Sequence, residues 1–336
     1  MPHTMQAMLI NHYGQKQLDR VLVPIPTPGP SDVLVAIHAA SINPIDFKTR
    51  DGAVRMLLKY QMPLILGSDF AGEIVQVGSR VTRFKIGDAV YGRPRKSRIG
   101  TFAEYLAVDQ ADIAQMPQNL SYPEAAALPL VGLTTYQAFH DMLQLQPNQK
   151  ILIQAGSGGI GTFAIQLAKL MGAYAATTTS GTSRALVTDL GADQVIDYHQ
   201  ENFTDVLHDY DAVYDTLGGD NLLQAFKIVK PGGAVVSLSG LPDGKFARAD
   251  GLPLWKQALF SLATRAIRKR EKQYHVAYRF LFMKPSGEQL ALITQLVEAG
   301  EIRPVIDEIV PFADFQQAMD HSEAGHARGK IVVKMQ

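Results

Sequence analysis

The chain has 336 residues, with 32 Lys and Arg set against 32 Asp and Glu, 46% hydrophobic and 19% charged residues, and no cysteine. That length predicts two domains of roughly 100–200 residues each, in an ordinary globular composition rather than a disordered one. The neutral balance argues against a nucleic-acid surface or an acidic tail, and the absence of cysteine excludes disulfides, thiolate nucleophiles and Cys-ligated metals.

The first ten residues lack the charged start and long apolar run of a secretory signal, and no stretch of about 18 uninterrupted apolar residues follows. The expectation is a cytoplasmic protein with neither a membrane nor a nucleic acid as partner. Up to about Pro117, β-branched runs over 33–37, 72–77 and 88–90 alternate with turn signals at Pro28-Gly29-Pro30, Gly78-Ser79 and Gly87-Asp88. This predicts a mostly β unit. Ser121, Pro123 and Glu124 carry the N-cap, first-turn proline and capping-box pattern of a helix start over 121–128. The apolar segment 130–143 continues as helix. From Lys150 strands and helices alternate: strands over 151–154, 174–178, 194–196, 212–214 and 234–238, with helices between them. Such alternation predicts a doubly wound parallel sheet. A basic helical stretch over 255–272, a helix over 287–299 and strand-like pieces over 305–310 and 330–334 close the chain. The last pieces resemble the N-terminal unit, so the chain is expected to leave that unit and return to it.

Gly156-Ser157-Gly158-Gly159-Ile160-Gly161 fits G-x-G-x-x-G, directly after the strand over 151–154 and directly before a helix. In that context Gly156 is expected to allow a tight turn, Gly158 to let the backbone approach a pyrophosphate, and Gly161 to let helix and strand pack closely. The phosphates then meet free N–H groups at the helix start. An NAD site usually places a carboxylate about twenty residues further on, against the ribose 2′-hydroxyl. Here the strand runs into Ser180-Gly181-Thr182-Ser183-Arg184, with no carboxylate before Asp189. Hydroxyls at Ser180, Thr182 and Ser183 and the charge of Arg184 suit a 2′-phosphate, so NADPH is the expected cofactor.

These residues resemble the zinc-independent quinone oxidoreductases and enone reductases (zeta-crystallin-like) of the medium-chain dehydrogenase/reductase superfamily. The resemblance runs over nearly the whole chain. It is carried by Gly67-Ser68-Asp69-Phe70-Ala71-Gly72-Glu73, Phe84-Lys85-Ile86-Gly87-Asp88, Leu128-Pro129, Gly132-Leu133-Thr134-Thr135, the loop from Ala155 to Gly161 with Gln166 and Lys169, Asp215-Thr216-Leu217-Gly218-Gly219 and Ala327-Arg328-Gly329-Lys330. It implies an α/β protein: a GroES-like, mostly β catalytic domain over 1–125 and 278–336, and a Rossmann NADP(H) domain over 126–277. It further implies that Tyr198 helps hold the adenosine ribose phosphate, that Thr134, Ser239, Gly240, Phe280 and Phe282 surround the nicotinamide, and that Leu217 and Lys330 belong with the cofactor residues. A homodimer through the cofactor domain is implied as well.

Zinc alcohol dehydrogenases resemble this chain too, but need Cys and His ligands where it carries Ser41 or its neighbours and Ser68-Asp69. No metal is expected. An acceptor of hydride builds negative charge on oxygen, and without a metal some donor or positive side chain must stabilise it. The resemblance points to Asn43 and Lys48 in Ser41–Arg50. Lys48 stands where many quinone reductases carry Tyr, which favours an α,β-unsaturated carbonyl acceptor over a quinone. Asp46 and Asp69 are expected as structural hydrogen-bond acceptors. Two other readings stand beside this one: a non-catalytic, crystallin-like NADPH-binding protein, and a zinc alcohol dehydrogenase. The stretch 255–272, with Trp255, Leu259, Phe260 and several basic residues, is expected to be a plain surface helix, with a membrane-surface or docking helix as its alternative.

Overall fold

Short β-branched runs between Gly- and Pro-marked turns dominate the first third of the chain, and they form strands because branched side chains fit a pleated, half-buried surface. In the computed structural model, which describes residues 3–335, these are β1 (Thr4–Ile10), β2 (Asp19–Pro24), β3 (Asp32–Ile42), β4 (Leu64–Ile65), β5 (Asp69–Val77), β6 (Ala89–Gly92), β7 (Tyr105–Asp109) and β8 (Ile113–Gln115). Helices α1 (Pro44–Arg50), α2 (Tyr122–Ala126) and α3 (Pro129–Tyr136) fall within and after them. The alternating region holds β9 (Lys150–Ile153), α4 (Gly159–Leu170), β10 (Tyr174–Thr179), α5 (Arg184–Asp189), β11 (Gln194–Asp197), α6 (Phe203–Val206), β12 (Tyr210–Asp215), α7 (Gly219–Ala225) and β13 (Val229–Ser237). Then come α8 (Gly244–Ala249), α9 (Leu254–Ala263), α10 (Arg265–Tyr274), β14 (Ala277–Phe280), α11 (Gly287–Glu298), β15 (Ile306–Pro311), α12 (Phe315–Ala324) and β16 (Lys330–Lys334).

The chain divides into two compact units. The first takes the residues up to Leu133 and those from Lys284 onward. Its larger sheet has the order β15-β16-β3-β5-β6-β8, with β7 also on β3, and a smaller sheet runs β2-β1-β4. The end of the chain is built in, since β16 lies antiparallel to β3 with Ile331 opposite Ile42 and Val332 opposite Ser41. Val33, Ile37, Phe70, Phe102, Phe315 and Val333 pack into one core.

The second unit, Thr134–Met283, is a six-stranded parallel sheet in the order β11-β10-β9-β12-β13-β14. Numbered within the unit this is 3-2-1-4-5-6, the order of a dinucleotide-binding sheet, with its switch point between β9 and β12. The sixth strand and α8 did not stand out in the sequence. The apolar segment 130–143 starts as α3 but unwinds into a π-helical turn over Gln137–Leu143, ending at left-handed Gln144. The basic stretch is two helices rather than one. The break is at Thr264 (φ −93°, ψ 18°), whose hydroxyl donates to the Phe260 carbonyl, a back-bond that bends helices.

In the glycine-rich loop the left-handed residue is Ala155 (φ 52°) rather than Gly156. Gly156 is needed for a different reason: a Cβ there would lie 2.0 Å from Thr177 Oγ1. A Cβ on Gly161 would lie 2.4 Å from the Ala155 carbonyl oxygen and 2.5 Å from Gly156 Cα, both backbone atoms that cannot step aside. Gly161→Ala is therefore expected to destabilise the protein by about 1–3 kcal/mol through overpacking, read as a lower midpoint in thermal or urea unfolding. An unchanged midpoint refutes the close-packing role.

Candidate active site

The carboxyl edge of the parallel sheet gathers most of the cofactor residues expected from the sequence. The loop 156–161 follows β9, Ser180 follows β10, Tyr198 follows β11, Leu217 lies two residues past β12, Ser239 and Gly240 lie just past β13, and Phe282 lies two residues past β14. Three consecutive threonines of β10 hold the loop. Thr177 Oγ1 donates to the Ile153 carbonyl (2.7 Å), Thr178 Oγ1 accepts from the Ala155 N–H (3.2 Å), and Thr179 Oγ1 donates to Ser157 Oγ (2.9 Å). Gly158, the N-cap of the twelve-residue α4, has room where a Cβ would stand, which would meet only the Ala155 oxygen, at an ordinary contact distance of 3.5 Å. Gly158, Gly159 and Ile160 are partly exposed. The first N–H groups of α4 have no acceptor within the helix. The cradle thus fits a pyrophosphate: close backbone approach, free donors and the positive end of a helix dipole.

Around this cradle the side chains differ in availability. Ser180 Oγ and Thr182 Oγ1 are 3.0 Å apart, and Thr182 and Arg184 are exposed, whereas Ser183 is buried with its hydroxyl 3.5 Å from that of Ser180. Tyr198 is exposed, with its ring tilted against that of His199 (centroids 4.3 Å apart), on a cavity of about 380 Å³ that also takes in Thr178, Asn202, Asn221 and Gln224. Past β12, the Asp215 carboxylate accepts from the Leu217 and Gly218 N–H groups and from Ser237 Oγ, while Ser239 Oγ donates to the Thr216 carbonyl. Thr134 is buried on α3. Phe280 and Phe282 sit with Phe246 of α8, an element that did not stand out in the sequence. A second residue missed is Asp197. It ends β11 opposite Thr179, and a Cβ on Gly181 would come 2.6 Å from its Oδ2. Counting along one strand from the glycines overlooks a carboxylate delivered by the neighbouring strand.

In the first unit, the segment from Ser41 to Arg50 forms the end of β3 and all of α1, with Pro44 in the first turn and the Asp46 carboxylate accepting the Asn43 N–H (2.8 Å). Apart from Lys48, its polar side chains are buried. Asp69 Oδ2 accepts from Ser41 Oγ (2.8 Å) and Asn43 Nδ2 (2.8 Å), and its Oδ1 accepts from the Leu130 N–H (2.8 Å). Asp46 Oδ1 accepts from Ser68 Oγ (2.7 Å). Lys330 Nζ donates to the Asn43 side-chain oxygen and the Ile42 carbonyl and stands 3.5 Å from Asp69. Arg93 is buried near the same carboxylates, and its Nε has no partner among the described residues. Asp46 and Asp69 are therefore hydrogen-bond acceptors of the interior, as expected. Asn43 is 1% exposed with both amide hydrogens used, one on Asp69 and one on the Ser41 carbonyl (3.2 Å), so it keeps no donor for a substrate oxygen. Lys330, on β16 of the first unit, lies inside this network. Lys48, on α1, is half-buried.

Burial sets the charge states. It pushes the Asp46 carboxyl up to about 7, against the opposing hydrogen bonds from Ser68 and the Asn43 N–H, and it lowers both Lys330 and Arg93. A carboxyl whose folded value lies above its unfolded one binds its proton more tightly in the native state. Its contribution to stability falls as pH rises from about 4 through about 7. Urea unfolding at pH 5 and pH 8 is expected to show lower stability at pH 8, and Asp46→Asn should flatten that difference. An Asp46→Asn variant with the same pH dependence as the parent refutes the assignment.

Comparison with known proteins agrees with this architecture. The alcohol dehydrogenase GroES-like domain profile matches residues 29–118, and the zinc-binding dehydrogenase profile matches residues 190–333. The chain is 34% identical to the mitochondrial NAD(P)H oxidoreductase RTN4IP1 of Danio rerio, over 98% of this chain and 91% of that one. It is 35% identical to the 2-methylene-furan-3-one reductase of Solanum lycopersicum, over 99% of this chain and 80% of that one. Among solved structures, the quinone oxidoreductase from Coxiella burnetii superposes with a TM-score of 0.86 at 34% identity, covering 99% of this chain and 100% of that one. Among the described residues no helix is long and apolar enough to cross a membrane. With a nucleotide cradle on a 3-2-1-4-5-6 sheet and a GroES-like unit closed by the chain's own end, the protein belongs to the quinone oxidoreductase family of the medium-chain dehydrogenase/reductase superfamily and is an NAD(P)H-dependent oxidoreductase.

Proposed function

We propose that the protein uses NADPH to reduce an α,β-unsaturated carbonyl or a quinone by hydride transfer, without a metal ion. The observation that carries the metal-free part is the state of the two buried carboxylates. Both oxygens of Asp46 and both of Asp69 are taken by hydrogen bonds, and an ammonium group lies 3.5 Å from Asp69. A zinc site needs thiolate, imidazole or carboxylate donors with free lone pairs. Serines and an asparagine beside a lysine do not fit that ion.

When bound, a reduced nicotinamide supplies the hydride. The chain's part is binding, orientation and charge. The 156–161 loop and the start of α4 take the pyrophosphate, while Ser180, Thr182 and Arg184 take the 2′-phosphate. Ser183, buried, accepts from the Ser180 hydroxyl. Tyr198 and the cavity beside it suit the adenosine half, and Thr134, Leu217, Ser239, Gly240, Phe280 and Phe282 the nicotinamide half. In the other unit, Lys48 stabilises the acceptor oxygen as negative charge grows on it, and can return a proton. Asn43, with its donors committed, acts by orientation: together with Lys330 and Asp69 it fixes the start of the helix that carries Lys48. We further propose that the protein works in the cytoplasm as a homodimer paired through the cofactor unit. The tomato relative's name, a 2-methylene-furan-3-one reductase, supports an enone acceptor, and the Coxiella burnetii structure's title supports a quinone.

The first test is oxidation of NADPH and NADH followed by absorbance, with a small enone and a quinone offered separately. NADPH is expected to be preferred, and Arg184→Ala to raise KM for NADPH by roughly tenfold while leaving NADH unchanged, the cost of one charge-assisted hydrogen bond. Equal use of both nucleotides, with no effect of Arg184→Ala, sinks the 2′-phosphate assignment. Saturable NADPH binding with neither acceptor consumed would instead favour a binding protein. Lys48→Ala is expected to lower kcat/KM for the enone by about tenfold or more. Unchanged turnover removes Lys48 from the mechanism.

A further inference from the structure

The segment between β13 and β14 carries the largest set of exposed apolar side chains on the second unit. On α9, Leu254 is 81% exposed, Trp255 59%, Leu259 44% and Leu262 58%. Their positions, with exposed Ala258 between them, follow i, i+1, i+4, i+5, i+8, so they share one side of the helix. The opposite side is what holds the helix down. Phe260 is buried, and the Gln257 amide donates to the Leu252 carbonyl after α8. The apolar stripe thus stays largely outside the unit's own packing. Four large hydrophobics aligned on one exposed face are unlike singly scattered surface ones and mark a contact surface.

Directly after the Thr264 break, α10 exposes Arg265, Arg268, Lys269 and Lys272 at i, i+3, i+4, i+7, a single basic stripe. None of these four forms an ion pair with a described residue, while Glu271, the helix's one acid, is already held by Lys245 (3.1 Å) and by the Tyr278 N–H (2.9 Å). The chain as a whole is neutral, so this positive charge is local rather than a by-product of composition. Consecutive helices that leave Leu and Trp exposed on one and Arg and Lys exposed on the next supply the two chemistries that an acyl boundary beneath anionic headgroups takes up. A protein partner would have to match both stripes in shape, whereas a lipid surface matches them by chemistry alone.

We propose that α9 and α10 form a peripheral docking face for an anionic lipid surface, with Leu254, Trp255, Leu259 and Leu262 entering the headgroup–acyl boundary and Arg265, Arg268, Lys269 and Lys272 meeting the headgroups. This goes beyond the oxidoreductase reading and does not depend on the identity of the acceptor. It takes up the membrane-surface alternative that the sequence left open for 255–272, with the fold adding which side of α9 is left exposed.

Trp255 is the only tryptophan in the chain, so its fluorescence reports on this face alone. The full-length protein is mixed with vesicles of phosphatidylcholine, or of phosphatidylcholine with about one-third phosphatidylserine, at low and high salt. Expected are co-sedimentation and a blue shift of Trp255 emission with the anionic vesicles only, both weakened by salt. Arg268→Glu with Lys269→Glu should lower vesicle binding by roughly tenfold or more. Leu259→Ser with Leu262→Ser should abolish the blue shift. Both variants should keep the parent's circular dichroism and NADPH binding, which separates a lost surface from a lost fold. Protein that stays in the supernatant with anionic vesicles overturns the proposal, as do variants that bind as well as the parent. If Trp255 is instead already shielded in lipid-free protein, in step with self-association as concentration rises, the face belongs to a second copy and the proposal fails.

Discussion

Asp69 is fully buried, yet four residues from three separate parts of the chain converge on its carboxylate: Ser41 at the end of β3, Asn43 at the start of α1, the Leu130 N–H in α3, and Lys330 at the start of β16. A buried anion left unpaired would cost several kcal/mol, so these partners are obligatory. The fold follows from satisfying them. Lys330 arrives only because β16, at the far end of the chain, pairs antiparallel with β3 and aligns Val332 with Ser41. The carboxylate therefore ties the closing strand to the opening ones, and it fixes the turn from β3 into α1 on which Lys48 rides. The neighbouring Asp46 repeats the theme at smaller scale, capping its own helix through the Asn43 N–H and holding Ser68.

The second unit solves a different problem, that of presenting backbone donors to a phosphate without collapsing around them. Gly156 and Gly161 are tightly confined, against Thr177 and against the loop's own backbone, while Gly158 has room for a Cβ. The rigid glycines and the threonine ladder of β10 hold the loop so that the open one need not move. Binding energy is then not diverted to ordering the loop, which is the advantage of a site built at the junction of a strand and a helix.

Much of this was legible in the sequence. The Ser121–Glu124 capping pattern appears at the start of α2, where Glu124 accepts from the Ser121 N–H at 2.8 Å. The glycine motif opens α4, and Gly172 takes a positive φ just past its end. These signals are local: a cap, a turn and a helix start each depend on residues within a few positions. What failed was of another kind. The π-helical turn over Gln137–Leu143 and the break at Thr264 interrupt apolar or basic runs whose periodicity carries no mark of them. Asp197 reaches the end of β10 through strand pairing and not through spacing. Asn43 and Lys330 match family motifs by position, but their side chains are consumed by each other and by Asp69.

The amino-acid sequence by itself determined the class of the protein: two units, a nucleotide-binding βα junction, and a chemistry without cysteine. It could do so because composition and short-range pattern decide which elements form and which functional groups exist. Tertiary structure alone decided which of those groups remain available. Whether Asn43 offers a donor, whether Ser183 faces solvent, and which side of α9 stays bare all depend on contacts between residues far apart in the chain. Burial is a property of the packed whole, and no local pattern encodes it.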